Sequence, residues 1–224
     1  MLHSGTLPFA HPAAMPASDA DAGAAPESRP DLAALHQAIQ SGDPSRAMPA
    51  LAGLRLVPEE QAIPLLLLGL QQSTFIIRSF ACAGLGVKRS EAGWQALEQA
   101  LQADDDANVR AEAANALASF GVERAWPLLR AAFEADSQWL VRCSILSALA
   151  EQPAMLPDWL LELARLAIAD GDGTVRVGGA EILGRLVREA GSDRSHGQAR
   201  ELLRSLQTDP DHRVVAAALD GLQG

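Results

Sequence analysis

The chain has 224 residues, 48% of them hydrophobic and 21% charged, with a net charge of −10 and a single lysine, Lys88. So acidic a chain argues against nucleic acid and against an anionic membrane surface, since both require clustered cations. The most apolar run, Ile63 to Leu70, is broken by Pro64 and Gly69 and is far too short to span a bilayer. No basic segment leads into an apolar core at the N-terminus, so the sequence reads as a cytoplasmic protein without a signal peptide.

Residues 1–29 are rich in Ala, Pro, Ser, Gly and His and lack periodicity, which predicts a disordered tail. They hold Asp19, Asp21 and Glu27 against Arg29, leaving −8 for the rest. From residue 30 to 224 one helical frame recurs. Its first unit has Asp43-Pro44 opening a helix that reaches Leu54, with Ala47 seven residues before that Leu. The second has Thr74, Ile77-Arg78 and Leu85. The third has Asp106, Val109-Arg110 and Leu117, and the fourth Val141-Arg142 and Leu149. The fifth has Asp172, Val175-Arg176 and Leu183. The sixth has Asp211, Val214-Val215 and Leu222. Successive arginines are 32, 32 and 34 residues apart. A fixed period of this size means stacked repeats, and outer repeats that lack the Arg are expected because one flank faces solvent.

Each unit reads as two helices. The second starts at a short polar side chain that can accept an orphan backbone N–H, with Pro44 at the favoured first position. Its slots at −1, +3 and +7 from the Arg form one buried stripe, as in Val109, Ala113 and Leu117 or Val141, Ile145 and Leu149. The first helices keep register through Leu65, Leu97, Leu129 and Leu163, with Trp94 and Trp126 also matching. Pro64, Pro127 and Pro157 are expected near their starts. The longer gap before the sixth unit is assigned to a loop over residues 191–196.

The strings Asp104-Asp-Asp-Ala-Asn-Val-Arg-Ala-Glu-Ala-Ala-Asn-Ala-Leu117, Asp170-Gly-Asp-Gly-Thr-Val-Arg-Val-Gly-Gly-Ala-Glu-Ile-Leu-Gly184 and Trp139-Leu-Val-Arg-Cys-Ser144 resemble the short HEAT-like repeats of the cyanobacterial phycobilisome lyase family. That family includes lyase subunits, chaperone-like relatives and the non-bleaching B type factor of phycobilisome degradation. The resemblance implies an all-α fold, a right-handed α-α solenoid of about six HEAT-like repeats. It also implies a phycobiliprotein or phycobilisome component as partner, and transient contact with a bilin as the sole cofactor expectation. It transfers no catalytic residue. A bilin lyase subunit and a scaffold for an iron–sulfur assembly protein are the alternatives.

The candidate chemistry is sparse. Each Arg of the series Arg78, Arg110, Arg142 and Arg176 can pair with an Asp near the preceding turn. Asp104, Asp136, Asp170 and Asp209 recur six residues before the slot, so the series reads as a ladder between units and not as a ligand strip. The acidic turn at Asp170 fails as a calcium loop because Val175 stands where Gly is required. Cys82 and Cys143 lie two units apart and are too few for a metal cluster. The five histidines have no metal-ligand spacing, so no metal is expected. No nucleophile, base and acceptor are brought together by any motif, which favours a non-catalytic role. The +2 and +5 slots of the second helices should line the inner, concave surface. Phe80, Glu112, Asn115, Ser144, Ser147 and Glu181 are therefore the candidate partner-binding strip, with Phe75 and Trp139 as candidate aromatic anchors.

Overall fold

The computed structural model describes residues 31–189 and 194–223, so the tail expected over 1–29 and the first half of the loop expected before the sixth unit lie outside the described residues. Six helix pairs follow one another. They are α1 (Leu32–Gln40) with α2 (Pro44–Gly53), α3 (Glu59–Leu70) with α4 (Phe75–Lys88), and α5 (Glu91–Ala103) with α6 (Ala107–Ala118). Then come α7 (Val122–Ala135) with α8 (Trp139–Ala150), α9 (Pro157–Ile168) with α10 (Gly173–Glu189), and α11 (Arg194–Ser205) with α12 (His212–Gln223). Short 3₁₀ turns extend α2 over Leu54–Leu56 and α11 over Leu206–Thr208. The fold is an all-α solenoid.

Helix starts follow from local chemistry. Asp43, Asp106, Asp172 and Asp211 each accept the backbone N–H two residues on, at 2.7 to 2.9 Å. This satisfies one of the donors that a helix N-terminus leaves without a partner. Thr74 stands at the same place but makes no such cap, and its hydroxyl instead donates to the Gly42 carbonyl of the first unit. Two sequence expectations are corrected. Pro64 and Pro127 lie inside α3 and α7, beyond the first turn, where each ring gives up one intrahelical bond; only Pro157 opens its helix. Arg194, Ser195 and His196, expected in a loop, form the first turn of α11.

The core is one continuous stripe. Ile77, Ala81, Leu85, Val109, Ala113, Leu117, Val141, Ile145, Leu149, Val175 and Leu183 are fully buried. This is the periodicity of four that puts every −1, +3 and +7 side chain on one face. Leu222, on the last of the described helices, is the one register leucine of the six that is only half-buried.

The two layers pack differently. The second helices touch in unbroken order from α2 through α4, α6, α8 and α10 to α12, while contacts along the first-helix layer are sparser. Close approach in the second layer needs small residues. A Cβ on Gly86 would stand 2.9 Å from the Ala116 Cα, and one on Gly184 would stand 2.9 Å from the Gly221 Cα. The α4–α6, α6–α8 and α10–α12 crossings are extensive. The α2–α4 and α8–α10 crossings are looser, which divides the layer at two places.

Candidate functional site

The arginine series occupies one edge of the solenoid, at the turns that join first to second helices. Arg78 donates through Nε and Nη2 to both Asp104 oxygens at 2.8 and 2.9 Å, and Arg110 does so to Asp136 at 2.7 and 3.1 Å. Arg142 grips Asp170 at 2.6 and 3.0 Å, and Arg176 grips Asp209 at 2.9 Å through both nitrogens. The carboxylate always comes from the following unit, not from the turn preceding the Arg in its own unit. That nearer turn offers its carbonyls instead, and Nη1 takes them at Gln72, Asp104, Asp136 and Asp170. The chain reversal points the carbonyls inward along the same helix, so the free fork of the planar guanidinium faces the next turn.

Each ladder Asp has a second task. Asp104, Asp136, Asp170 and Asp209 accept the N–H of Asp106, Gln138, Asp172 and Asp211, which shapes the turn leading into the second helix. The pairs are largely covered, with side-chain exposures between 8 and 14%. Burial pushes the Asp104 and Asp136 carboxyls up, but the guanidinium bonds and turn N–H outweigh it and hold both below the ordinary value. For Asp209 the Arg176 bond dominates and lowers it likewise. Every guanidinium nitrogen of these arginines holds at least one internal bond, so the edge joins units and leaves little for a ligand.

At the opposite ends of the second helices lies a feature the sequence reading missed. The carbonyl eight residues after the Arg slot is orphaned by helix termination. Lys88 Nζ donates to it at Arg55 and also to Val57, at 3.0 and 2.6 Å. Ser119 Oγ shares its one proton between the Gly86 carbonyl at 2.8 Å and the Ala116 carbonyl of its own helix at 2.6 Å, and Arg185 Nη1 donates to Ala150. At Ala118 the next unit offers Glu151, which has no proton to give, and the Gly121 N–H closes the bond at 3.2 Å in a turn with φ +108°. That φ is the reason for Gly at this place.

Between these two edges runs the face carrying the +2 and +5 slots. Phe80, Asn115, Ser147 and Glu181 are exposed there, and Glu112 and Ser144 are half-buried. Phe75 and Trp139 are exposed at the N-termini of α4 and α8, away from the middle of the strip. Two grooves open on this face, one at each loose crossing. The first, of about 420 Å³, lies between α2 and α4; the second, of about 390 Å³, lies between α8 and α10. They differ in character. The first has an apolar floor of Leu51, Leu54 and Leu66, whereas the second is lined by Glu151, Glu181, Arg185, Arg188 and Glu189 beside Leu146 and Ile182.

Among the described residues no three His, Cys, Asp or Glu side chains gather as metal ligands, and no helix is long and apolar enough to cross a membrane. Cys82 is fully buried and burial pushes its thiol up to about 12, so it is an inert core residue; Cys143 is half-buried beside Arg142.

Residues 63–150 match the family model for HEAT repeats. That segment runs from within α3 to the end of α8 and so takes in the second, third and fourth units. No curated protein sequence matches the chain. Among solved structures it is similar to human deoxyhypusine hydroxylase in complex with glycerol, at 14% identity over 86% of this chain and 96% of that one, with a TM-score of 0.46. It is also similar to the complex of CpcE and CpcF of phycocyanin lyase from Nostoc sp., at 19% identity over 87% of this chain and 100% of that one, with a TM-score of 0.40.

Proposed function

We propose that the chain is a non-catalytic scaffold or chaperone that holds a protein partner on its second-helix face. A two-layer stack curves toward its more closely spaced layer, and the closer contacts of the second helices support reading this face as the inner side of the solenoid. The observation that carries the reading is the pair of grooves, both on this face and both at breaks in its packing. A repeat array offers extended contact area with weak demands on any one residue. Here each guanidinium nitrogen of the ladder edge already holds an internal bond, while the face between the edges has no such lattice.

The test is site-specific photo-crosslinking in the protein's native host. Crosslinkers at Asn115 and Ser147 should trap the same partner, and crosslinkers at Gln99 and Glu134 in the first-helix layer should not. Equal trapping from both layers, or none from the strip, would overturn the reading. A phycobiliprotein is the partner class offered by the repeat resemblance. A pull-down from a phycobilisome-containing extract that recovers no biliprotein removes that class and leaves the scaffold reading standing.

A further inference from the structure

The groove between α2 and α4 has a direction. Phe80 stands at one end and Lys88 at the other, eight residues along the same helix, which is about 12 Å at the rise of an α-helix. Its rim exposes Leu56 at 82%, Val87 at 57% and Phe80 at 38% of their surface, an unusual concentration of bare apolar side chains. In a chain of net charge −10, the charged residues lining this groove are both cations, Arg55 and Lys88. They sit together at the far end, where α2 and its 3₁₀ turn finish. The nearest carboxylate slot on the strip, Glu112, is level with Phe80 at the other end. Lys88 already gives two bonds to carbonyls, and an ammonium has three protons, so one remains for an incoming acceptor.

We infer that this groove receives an amphipathic helical segment of a partner protein, with bulky apolar anchors on one face and carboxylates in the turn that lies over Arg55 and Lys88. This deepens the scaffold reading and rests on it. The length fits about two helical turns, enough for apolar anchors at i, i+4 and i+7 to enter between Leu56, Phe80 and Val87. Gly84 keeps the floor low, since a Cβ there would collide with the Leu66 side chain. A partner segment with cations in the same turn meets like charge at Arg55 and Lys88, so the charge selects register and orientation as well as identity.

The experiment uses two fluorescein-labelled helical peptides of about three turns with the same Leu and Phe anchors, one carrying two Glu in the turn over the cations and one carrying two Lys. Anisotropy with the full chain should show the Glu peptide binding at least about tenfold more tightly. Arg55 is exposed and its side chain makes no bond needed for the turn, so Arg55→Glu should fold normally by circular dichroism and reverse the preference. Val87→Glu should weaken both peptides. Equal binding of the two peptides, or an unchanged preference in Arg55→Glu, overturns the inference. So does a concentration-dependent dimer in sedimentation that Val87→Glu abolishes, since a second copy would then be the occupant. If the peptides fail while Asn115 and Ser147 still crosslink a partner, the groove inference falls and the scaffold stands. If the crosslinks fail as well, both fall.

Discussion

The two ends of the second helices are built by different rules. At their N-terminal edge four Arg–Asp pairs repeat the same geometry, each holding its own turn by a carbonyl and the next turn by a carboxylate. At their C-terminal edge the same orphaned carbonyl is met by a lysine, a serine, a glycine turn and an arginine in successive units. The uniform edge sets the spacing of the turns. The varied edge lets the spacing of the helices differ, and the two grooves open where a long cation replaces the short cap. Regularity at one edge and tolerance at the other allow one fold to carry different openings along one face.

The comparison can be broken first with acid. The Asp104, Asp136 and Asp209 carboxyls are held below their ordinary 3.8 in the folded chain. A group depressed by folding adds stability that is complete above its unfolded value and is lost as pH falls through the folded one. The urea midpoint should therefore be flat above about pH 5 and fall steeply below pH 3.8, as three junctions fail together. A midpoint that keeps its value to pH 2.5 or so would show the ladder to be energetically idle. Asp136→Ala does to one junction what acid does to several. It strands Arg110, whose side chain is only 14% exposed, and removes the acceptor of the Gln138 N–H. The expected loss is about 3 kcal/mol by urea denaturation, against which less than about 1 kcal/mol would contradict the pairing.

These effects concern the part of the molecule that the sequence showed best. The period, the Leu register and the buried stripe were legible because every unit repeats them, with Val109, Ala113 and Leu117 in the positions of Val141, Ile145 and Leu149. The partner of each Arg was harder. An Asp six residues before it and the Asp of the next unit hold equivalent places in the repeat, so spacing cannot choose between them; the inward carbonyls of the near turn do. The C-terminal edge was invisible, because Lys88, Ser119, Gly121 and Arg185 share a task without sharing a residue type. The grooves were hidden for the same reason. They arise where the slots held by Gly86 and Ala116 at the tight crossing are held by Arg55 and Gly84, or by Ala150 and Ile182, and no single residue signals an absence of close packing.

Tight and loose crossings can be compared directly. At the α4–α6 crossing the added methyl of Gly86→Ala would press on the Ala116 backbone, which has no rotamer to yield. A loss of about 2 kcal/mol is expected, since overpacking against backbone forces the helices apart. Gly53, in the last turn of α2 beside the loose crossing, has nothing within 4 Å of its would-be Cβ. Gly53→Ala should stabilise by about 0.5 kcal/mol through the reduced entropy of the unfolded chain. Differential scanning calorimetry should move the two variants in opposite directions. Equal shifts would mean that the second layer is no tighter at one crossing than at the other.

The smallest effect separates the caps from one another. Ser119→Ala removes the hydroxyl whose one proton is shared between the Gly86 and Ala116 carbonyls, and leaves the Gly86 helix end without its bond to the third unit. About 1 kcal/mol should be lost, the usual net worth of one such hydrogen bond. Glu151 occupies the equivalent slot one unit on, but the Ala118 carbonyl is already bonded to Gly121. Glu151→Ala should therefore change stability by less than about 0.5 kcal/mol, as an exposed substitution with no partner to lose. A cost at Glu151 equal to that at Ser119 would mean that the slot itself matters and not the proton it donates. The C-terminal edge would then obey the same uniform rule as the ladder, and the distinction between the two ends would disappear.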